Sequence, residues 1–351
     1  MNKPHNIYVH VPFCMSKCRY CAFFSHACAN PDWDTYTKGI INEIEHWAQM
    51  LGRISVPTIF FGGGTPSLMP TKYFEQIISK IHQCFDVMAN AEITIESNPG
   101  TIDVSKMRDF QSFGVNRISI GVQSLIDEKL KYLGRRHSVS DALETIKAAQ
   151  KLDLRVSGDF IYGLPGETVL EVVWTCKQIN GLGLKHCSMY ELTIEPNTPI
   201  GREKPIMPTN DAMADMYNAI GDTLVLPRYE VSNYATSDAH CLHNENIWDG
   251  APYIGLGRGA AGRILHNGTW FEQMGANEMF ASMDNRTRAI EKLITGLRTV
   301  RGTQLTDDVK DVINMDTVHT IPNLAQIDNN RISVTHAGML LLDDILVQIV
   351  R

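Results

Sequence analysis

Residues 11–24 read VPFCMSKCRYCAFF and place three cysteines, Cys14, Cys18 and Cys21, within eight residues. The apolar run at 7–11 that precedes them is typical of a buried strand. In a reducing compartment, clustered cysteines are more often metal ligands or redox groups than structural disulfides. The stretch therefore predicts a metal or cluster site on the loop that follows the first strand.

Length and composition exclude several classes of protein. The chain has 351 residues, 44% of them hydrophobic, which is enough for one large domain and a smaller one. Its formal net charge is −7, so we expect no nucleic-acid partner. The sequence shows neither a secretory signal pattern nor an apolar stretch long enough to span a bilayer. We therefore expect a globular cytoplasmic protein without a transmembrane segment.

Two hydrophobic periods alternate along the first part of the chain. Runs rich in β-branched and aromatic residues predict six strands, at 7–11, 58–61, 92–97, 117–121, 156–162 and 186–192. Amphipathic segments predict five helices between them, at 35–51, 72–85, 104–113, 139–152 and 170–182. Such alternation implies a parallel sheet, and six units favour an open barrel over a closed eight-stranded one. The predicted fold is α/β, a partial (β/α)6 TIM-like barrel that ends near residue 200.

The unusual residues fall at the carboxyl ends of the predicted strands. Ligands bind at that face in parallel α/β folds, so these stretches are expected to converge on one site. In chain order they are CMSKCRYC (14–21), GGGTPS (62–67), ESNPG (96–100), GVQS (121–124) and the run from Asp159 to GLPGE (163–167).

Three thiolates suit a particular kind of cofactor. They can hold three corners of a [4Fe-4S] cubane, and one iron stays open because full protein ligation takes four. S-adenosylmethionine carries an amino and a carboxylate group that can chelate such an iron, and an electron from the cluster then generates a radical. The glycines of GGGTPS allow close backbone approach to a charged amino-acid moiety. Glu96, Gln123 and Asp159 offer partners for an amine and for ribose hydroxyls.

A structural zinc site is the competing interpretation of the cysteines. It needs a fourth ligand, for which His26 and Cys28 are nearby candidates. Each of the other motifs also has a structural interpretation when taken alone: GGGTPS as a tight turn before a helix, Glu96 as a strand end and Asp159 as a turn residue. Their convergence in order favours the cofactor site.

The motifs in this order resemble the radical S-adenosylmethionine superfamily, and within it the HemN-like group. The strings that carry the resemblance are YVHVPFCMSKCRYC (8–21), FFGGGTPS (60–67), ESNPGT (96–101), ISIGVQS (118–124), LGRRH (133–137) and DFIYGLPGET (159–168). The resemblance implies that Cys14, Cys18 and Cys21 ligate a [4Fe-4S] cluster. Arg136 is the register alternative to Arg135 in the implied set of S-adenosylmethionine contacts. That set is Tyr8, Tyr20, Gly63, Gly64, Thr65, Glu96, Gln123, Arg135 and Asp159.

Two branches of this group differ in function, one an oxygen-independent coproporphyrinogen III dehydrogenase and the other a haem chaperone. The dehydrogenase has a further cysteine two residues beyond the triad, where this chain has Phe23, and a long segment ahead of the triad. The chaperone has an HNxxYW motif implicated in haem binding, which His243 begins here. Ile247 stands at the tyrosine place, and Ala261 follows GRGA where relatives carry histidine. The resemblance favours the chaperone, with the dehydrogenase or another radical enzyme as the alternative.

The resemblance also implies partners and the remaining regions of the chain. His243 is the candidate haem ligand, since neutral imidazole binds haem iron, and Cys241 is the second candidate. The expected partners are haem and a haem-accepting protein such as a membrane-bound respiratory enzyme, which would bring this protein to the membrane periphery. No catalytic residue is assigned. The expected regions are a radical S-adenosylmethionine barrel at 1–200, an extension with the HNxxYW-like motif at 201–285, and a winged-helix-like unit within an α+β region at 286–351.

Overall fold

Strand and helix alternate through the first half of the computed structural model, which describes residues 3–274 and 280–351. All six predicted strands and five predicted helices are confirmed, although two strands begin several residues earlier than predicted. The strands are β1 (Asn6–Val11), β2 (Phe13–Cys14), β3 (His26–Ala27), β4 (Ser55–Gly63), β5 (Asp86–Ser97), β6 (Arg117–Gln123), β7 (Arg155–Tyr162) and β8 (His186–Glu191). The helices are α1 (Trp33–Leu51), α2 (Thr71–Cys84), α3 (Val104–Ser112), α4 (Asp127–Tyr132), α5 (Val139–Lys151) and α6 (Val169–Asn180).

Six of these strands form one parallel array in chain order: β1, β4, β5, β6, β7 and β8. Register pairs across the array include Ile7 with Ile59 and Ile118 with Val156. Parallel neighbours in chain order, with helices in the connections, are the arrangement of a TIM-type barrel. The predicted partial barrel is therefore confirmed.

Further strands extend both edges of this array and lie outside the prediction. They are β9 (Asn233–Ala235), β10 (Tyr253–Leu256), β11 (Ala261–His266), β12 (Thr269–Met274) and β13 (Phe280–Met283). Strand β10 pairs with β1 in parallel, and β11 to β13 follow it as an antiparallel ribbon. The part of the chain that the structure describes thus forms a mixed sheet of eleven strands. With only four residues, β10 is too short for its period to be read.

Inward and outward faces alternate along the barrel strands, as β6 illustrates. Ile118 and Ile120 are fully buried in the main hydrophobic core. Arg117, Ser119 and Gly121, the residues between and beside them, line a cavity inside the barrel. Because successive side chains of a strand point to opposite faces, the alternating sequence RISIG gives β6 one apolar and one polar face.

Local sequence fixes where the connecting helices begin, as α6 illustrates. Thr168 accepts a hydrogen bond from the Glu171 backbone N–H, and the Glu171 carboxylate accepts one from the Thr168 N–H, which completes a capping box. Val172, Cys176 and Ile179 follow at helical spacing and are buried. The end of DFIYGLPGET therefore serves as a helix start directly after strand β7.

A second hydrophobic core lies in the C-terminal region. Its antiparallel sheet has the order β14, β16, β15, and Asn329 and Asn330 adopt positive φ at the tight turn between β15 and β16. The strands are β14 (Thr303–Gln304), β15 (Ala325–Asp328) and β16 (Arg331–Val334). The helices after the barrel are α7 (Pro199–Glu203), α8 (Asn210–Thr223), α9 (Leu242–Trp248), α10 (Asn285–Leu297), α11 (Asp307–Asp311), α12 (Met315–Thr320), α13 (His336–Met339) and α14 (Leu342–Ile349). These elements form the predicted α+β C-terminal region.

The division at residues 200 and 285 and the winged-helix-like character of the last region stay proposals. Residues 275–279, inside the predicted extension, lie outside the described residues. Within the described ranges, no helix has the length and apolar character needed to cross a bilayer.

Candidate functional site

A cavity of about 720 Å³ occupies the interior of the barrel. Its volume is within the range of ligand sites in proteins, about 300–1,000 Å³. It extends along the barrel strands, because Arg117 at the start of β6 and Gln123 at its end both line it. Every residue of the predicted site lines this one cavity: Tyr8, Cys14, Cys18, Tyr20, Cys21, Gly63, Gly64, Thr65, Glu96, Gln123, Arg135, Asp159 and His243.

The three thiols of the CMSKCRYC loop are positioned by backbone and by charge. Cys14 is buried, and a Cβ on Gly64 would lie 2.9 Å from its Sγ. The Cys18 Sγ accepts a hydrogen bond from Arg135 Nη1 at 3.3 Å. This contact places a positive charge beside the sulfur and fixes its position on the cavity wall. Burial raises the pKa of the Cys21 thiol and so favours its protonated form. A cationic cluster iron would favour the thiolate instead.

The donors fit an iron–sulfur cluster better than a single zinc ion. In the ranges that the structure describes, no three His, Cys, Asp or Glu side chains converge on a position for one ion. His26 is exposed and packs edge-on against Phe13 with ring centroids 5.2 Å apart. Cys28 is tied to the loop by its backbone N–H, which donates to the Cys14 carbonyl at 2.9 Å. Cys14, Cys18 and Cys21 all line the cavity, whereas His26 and Cys28 do not. A cubane fits because it spreads three ligands over separate iron corners.

Two carboxyl groups, Glu96 and Asp159, share the cavity. The Glu96 Oε2 accepts the Gly63 backbone N–H at 3.0 Å. Burial, together with the charge of Asp159, raises the pKa of Glu96 to about 8. Asp159 accepts hydrogen bonds from Ser119 Oγ at 2.8 Å and Ser157 Oγ at 3.3 Å, and burial raises its pKa. A pair of carboxyl groups that repel each other in a buried site favours a cationic ligand, which the sulfonium of S-adenosylmethionine provides.

A β-bulge turns the end of β6 toward the cavity. The register between β6 and β7 shifts between Gly121 and Gln123, and Gln123 has φ of +66°. Arg135 Nη2 donates to the Gly121 carbonyl at 2.8 Å and to Asn98 Oδ1 at 2.5 Å. Arg136 is exposed and does not line the cavity, so the geometry favours Arg135 in the LGRRH string.

The glycine and threonine of GGGTPS are held against neighbouring strands. Gly63 has φ of +113°, and a Cβ there would lie 2.7 Å from the ring of His10. Thr65 is buried, and its Oγ1 accepts a hydrogen bond from Asn98 Nδ2 at 2.9 Å. Gly63 and Thr65 therefore bring the backbone close to the cavity. The sequence motif alone did not distinguish this arrangement from a simple turn before a helix.

The tyrosines line the cavity with their hydroxyls in different surroundings. His10 donates from Nε2 to the Phe24 carbonyl at 2.7 Å, so its Nδ1 accepts from the Tyr8 hydroxyl at 3.0 Å. Burial raises the pKa of Tyr8 and of Tyr20, and the charge of Arg135 partly opposes this effect at Tyr20. Both rings are therefore neutral and suited to packing against a ligand.

A chain of hydrogen bonds fixes the tautomer of His243. The Asn6 side-chain Nδ2 donates to the Pro252 carbonyl, which orients the Asn6 Oδ1 toward Thr58. The Thr58 hydroxyl donates its one proton to Asn6 Oδ1 at 2.8 Å. Its oxygen must then accept from His243 Nδ1, 2.7 Å away, so the proton of the imidazole is on Nδ1.

The other nitrogen of His243 has a free lone pair. Nε2 is buried and has no hydrogen-bond partner among the described residues. Burial lowers the pKa of His243 to about 3, with a further contribution from the charge of Arg117. The imidazole is therefore neutral at physiological pH, and none of the described residues uses its Nε2 lone pair. Cys241, by contrast, directs its Sγ toward Glu92 and does not line the cavity.

Sequence reasoning did not assign several polar residues of the cavity wall, among them Asn98, Arg117 and Ser119. Asn98 joins Arg135 to Thr65 and lies inside the ESNPG motif, which the sequence did single out. Arg117 and Ser119 stand at alternate positions of RISIG. In RISIG, polar residues alternate with isoleucines that pack in the hydrophobic core. This alternation is the sequence signal that places Arg117 and Ser119 on the inner face of the barrel.

Comparison with known proteins identifies the family of this chain. Residues 8–179 match the model of the radical SAM superfamily. The curated protein "Heme chaperone HemW" of Escherichia coli (strain K12) is 40% identical over 266 residues, which cover 74% of this chain and 70% of that protein. The chain belongs to the HemW family. Membership in the radical SAM superfamily implies a [4Fe-4S] cluster and S-adenosylmethionine as cofactors.

Two further comparisons extend the relationship. A mitochondrial protein of Danio rerio, "Radical S-adenosyl methionine domain-containing protein 1", is 33% identical over 322 residues, covering 87% of this chain and 71% of that protein. The solved structure of Escherichia coli HemN, a coproporphyrinogen III oxidase, superposes with a TM-score of 0.82 over 99% of this chain and 90% of that chain. At 20% sequence identity, this likeness shows the fold alone.

The pKa of Glu96 makes a pH dependence of S-adenosylmethionine binding testable. Below pH 8 the carboxyl group is mostly protonated, and a cationic ligand binds best to the ionised form. We expect the affinity of the cluster-loaded protein for S-adenosylmethionine to rise by up to about tenfold for each pH unit between 6 and 8. Isothermal titration in an anaerobic cell measures it.

Two variants control this experiment. Glu96→Gln has no titrating carboxyl group there and should bind S-adenosylmethionine weakly with a flat profile. Glu195→Gln removes an exposed carboxyl group from the cavity wall and should keep the wild-type profile. A profile of unchanged slope in Glu96→Gln would assign the dependence to another group.

Proposed function

We propose that this protein is a haem chaperone, which binds haem and transfers it to an acceptor protein while carrying a [4Fe-4S] cluster and S-adenosylmethionine. Curated relatives from Escherichia coli and Haemophilus influenzae that share 40% and 34% of aligned residues are named heme chaperone HemW. The observation that carries the proposal is the buried Nε2 of His243, which has no hydrogen-bond partner among the described residues and belongs to a residue that lines the cavity of about 720 Å³. Imidazole nitrogen is the commonest protein ligand of haem iron.

The chain's own residues would divide the work of cofactor binding. Cys14, Cys18 and Cys21 would ligate the cluster, which when bound supplies an electron to the S-adenosylmethionine sulfonium. The backbone at Gly63, Gly64 and Thr65 would meet the amino-acid moiety, a role supported by the close packing of that loop.

The remaining contacts would surround the rest of S-adenosylmethionine. Glu96 and Asp159 would attract its positive charge, and Gln123 would reach it from the bulge at the end of β6. Arg135 would hold the Cys18 thiolate and Asn98 in place. Tyr8 and Tyr20 would pack beside it as neutral rings.

The chain departs from the family's motifs at two places, Ile247 in the HNxxYW-like string and Ala261 after GRGA. Ile247 and Ala261 both line the cavity with His243. An apolar Ile247 suits the hydrocarbon face of a porphyrin, and a small Ala261 leaves space beside it. Neither residue removes the free imidazole. We therefore expect haem to bind without a tyrosine or a second histidine at these two places.

The acceptor would be a haem protein, and a membrane-bound respiratory enzyme is our candidate class. This chaperone would work in the cytoplasm and reach such an acceptor at the membrane periphery.

A second candidate function is oxygen-independent dehydrogenation of coproporphyrinogen III or another radical reaction, since the S-adenosylmethionine contact positions are all present. Phe23 argues against the dehydrogenase: it is 69% exposed and lines the cavity where that enzyme has a further cysteine. An anaerobic assay should find no protoporphyrinogen formed. Robust turnover would contradict the chaperone function.

Anaerobic haem titration of the cluster-reconstituted protein tests the proposal. We expect saturable, roughly stoichiometric binding to the wild-type protein, and a loss of affinity of more than about 100-fold in His243→Ala, since a metal ligand contributes more than its hydrogen-bond partners do. Absorbance follows the haem band, and iron analysis before haem addition checks that the cluster is intact.

The matched control is His82→Ala, which removes an exposed histidine from helix α2 and should bind haem normally. Unchanged haem affinity and spectrum in His243→Ala would move the ligand elsewhere, and Cys241→Ala would then be measured in the same way.

A further inference from the structure

A buried cation on the cavity wall, Arg117, makes no direct contact with an anionic side chain of the described residues. Arg117 begins strand β6, is 3% exposed and lines the cavity. Throughout residues 3–274 and 280–351, no side chain forms an ion pair with its guanidinium and no group accepts a hydrogen bond from it. Taking an unpaired charge out of water is costly, so natural proteins pair such groups. A buried, unpaired guanidinium that borders a cavity therefore indicates an anion-binding position.

The carboxylates around Arg117 are occupied by other groups. Glu92 and Asp159 both contribute to its electrostatic surroundings. Glu92, however, forms its ion pair with Arg155 at 3.2 Å and also accepts backbone N–H groups from the start of helix α9. Asp159 accepts the hydroxyl of Ser119 at 2.8 Å. The five donors of Arg117 stay available for a ligand.

Arg117 lies at the His243 end of the cavity, away from the cluster loop. Arg117 pairs in register with Thr94 of strand β5. Two residues earlier on the same strand, Glu92 pairs with Thr58, which is the hydrogen-bond partner of His243. The charge of Arg117 also reaches His243. Gln123, at the carboxyl end where the cluster loop lies, is six residues further along β6, or about 20 Å at the rise of a strand.

We propose that Arg117 binds a carboxylate of the ligand that His243 ligates, namely a propionate of haem. This inference rests on the proposed function and specifies how haem is oriented. A neutral imidazole nitrogen and an unpaired guanidinium in one cavity match a compound that combines a metal with carboxylates. The planar fork of arginine binds a carboxylate through two parallel hydrogen bonds, whereas S-adenosylmethionine chelated at the cluster holds its carboxylate at the opposite end.

The test compares haem with haem dimethyl ester, in which both propionates are blocked. Wild-type, cluster-loaded protein should bind haem about 10- to 100-fold more tightly than the diester, which is the range for a buried charge-assisted pair. Arg117→Gln should lose that preference by weakening the binding of haem and not of the diester. Because the charge of Arg117 lowers the pKa of Glu96, a small drop in S-adenosylmethionine affinity at neutral pH is also expected, and it should not depend on the propionates. Arg136→Gln, which removes an exposed arginine, is the matched control.

Arg117→Lys keeps the positive charge but lacks the planar guanidinium, so it should retain part of the preference for haem over the diester. This second variant keeps the proposal testable if Arg117→Gln does not fold. Equal wild-type affinities for haem and its diester would overturn the assignment of Arg117 and leave the chaperone function standing. So would a preference that survives in Arg117→Gln. A wild-type protein that binds no haem at all would overturn the chaperone function and this inference together.

Discussion

Replacing Gly64 with alanine is expected to remove nearly all cluster iron although the three cysteines stay in the chain. A Cβ at residue 64 would lie 2.7 Å from the Phe13 carbonyl oxygen and 2.9 Å from the Cys14 Sγ, closer than real Cβ contacts. The Phe13 oxygen belongs to the backbone and cannot rotate away, so the added methyl group must displace the strand that carries Cys14. One displaced thiol leaves two ligands in place.

Iron and sulfide analysis after anaerobic reconstitution measures this effect, together with the visible absorbance of the cluster. Thiol titration of the denatured variant should recover every cysteine, which separates displacement from oxidation. Gly39→Ala is the matched control, because Gly39 lies in helix α1 with nothing within 4 Å of a built Cβ. That variant should hold full cluster and gain slightly in stability. A Gly64→Ala protein with normal iron content would show that the loop can move aside.

The sequence predicts the barrel because each strand and helix carries its own period. Residues 186–192, for example, form a short run of high strand propensity, and strand β8 is found at His186–Glu191. The β10 strand could not be predicted in this way, because its four residues are too few and its place beside β1 depends on pairing between residues about 250 positions apart, such as Asn6 and Tyr253.

The cofactor end of the cavity was also more predictable than the His243 end. Cys14, Cys18 and Cys21 are close in sequence, and Gly63 and Gly64 stand in a recognisable loop, so local strings carry the information. The state of His243 depends on Thr58, which is 185 residues away, and on the orientation of the Asn6 amide. No local pattern encodes which imidazole nitrogen is protonated, since that is decided by a hydrogen-bond network formed only on folding.

Replacing Thr58 with valine is expected to weaken haem binding about 10- to 100-fold without touching the haem ligand, which is the usual effect of removing the hydrogen-bond partner of a metal-bound histidine. Valine matches threonine in shape but cannot accept the His243 Nδ1 proton. The imidazole can then turn or place its proton on Nε2, and either change removes the free lone pair from its present position. Haem titration and the absorbance maximum of the complex measure the loss.

Thr94→Val provides a stringent control on the adjacent strand β5. Thr94 is fully buried, and its hydroxyl has no hydrogen-bond partner within the described part of the chain, so its removal should leave haem affinity unchanged. Thr58→Ser keeps the hydroxyl and should restore most of the affinity that Thr58→Val loses. Thr58→Val and Thr94→Val preserve the packing volume, whereas Thr58→Ser removes one methyl group but keeps the hydroxyl, so only the tautomer explanation predicts this order of affinities. Equal haem affinity in Thr58→Val and the wild type would mean that His243 reaches iron without help from Thr58.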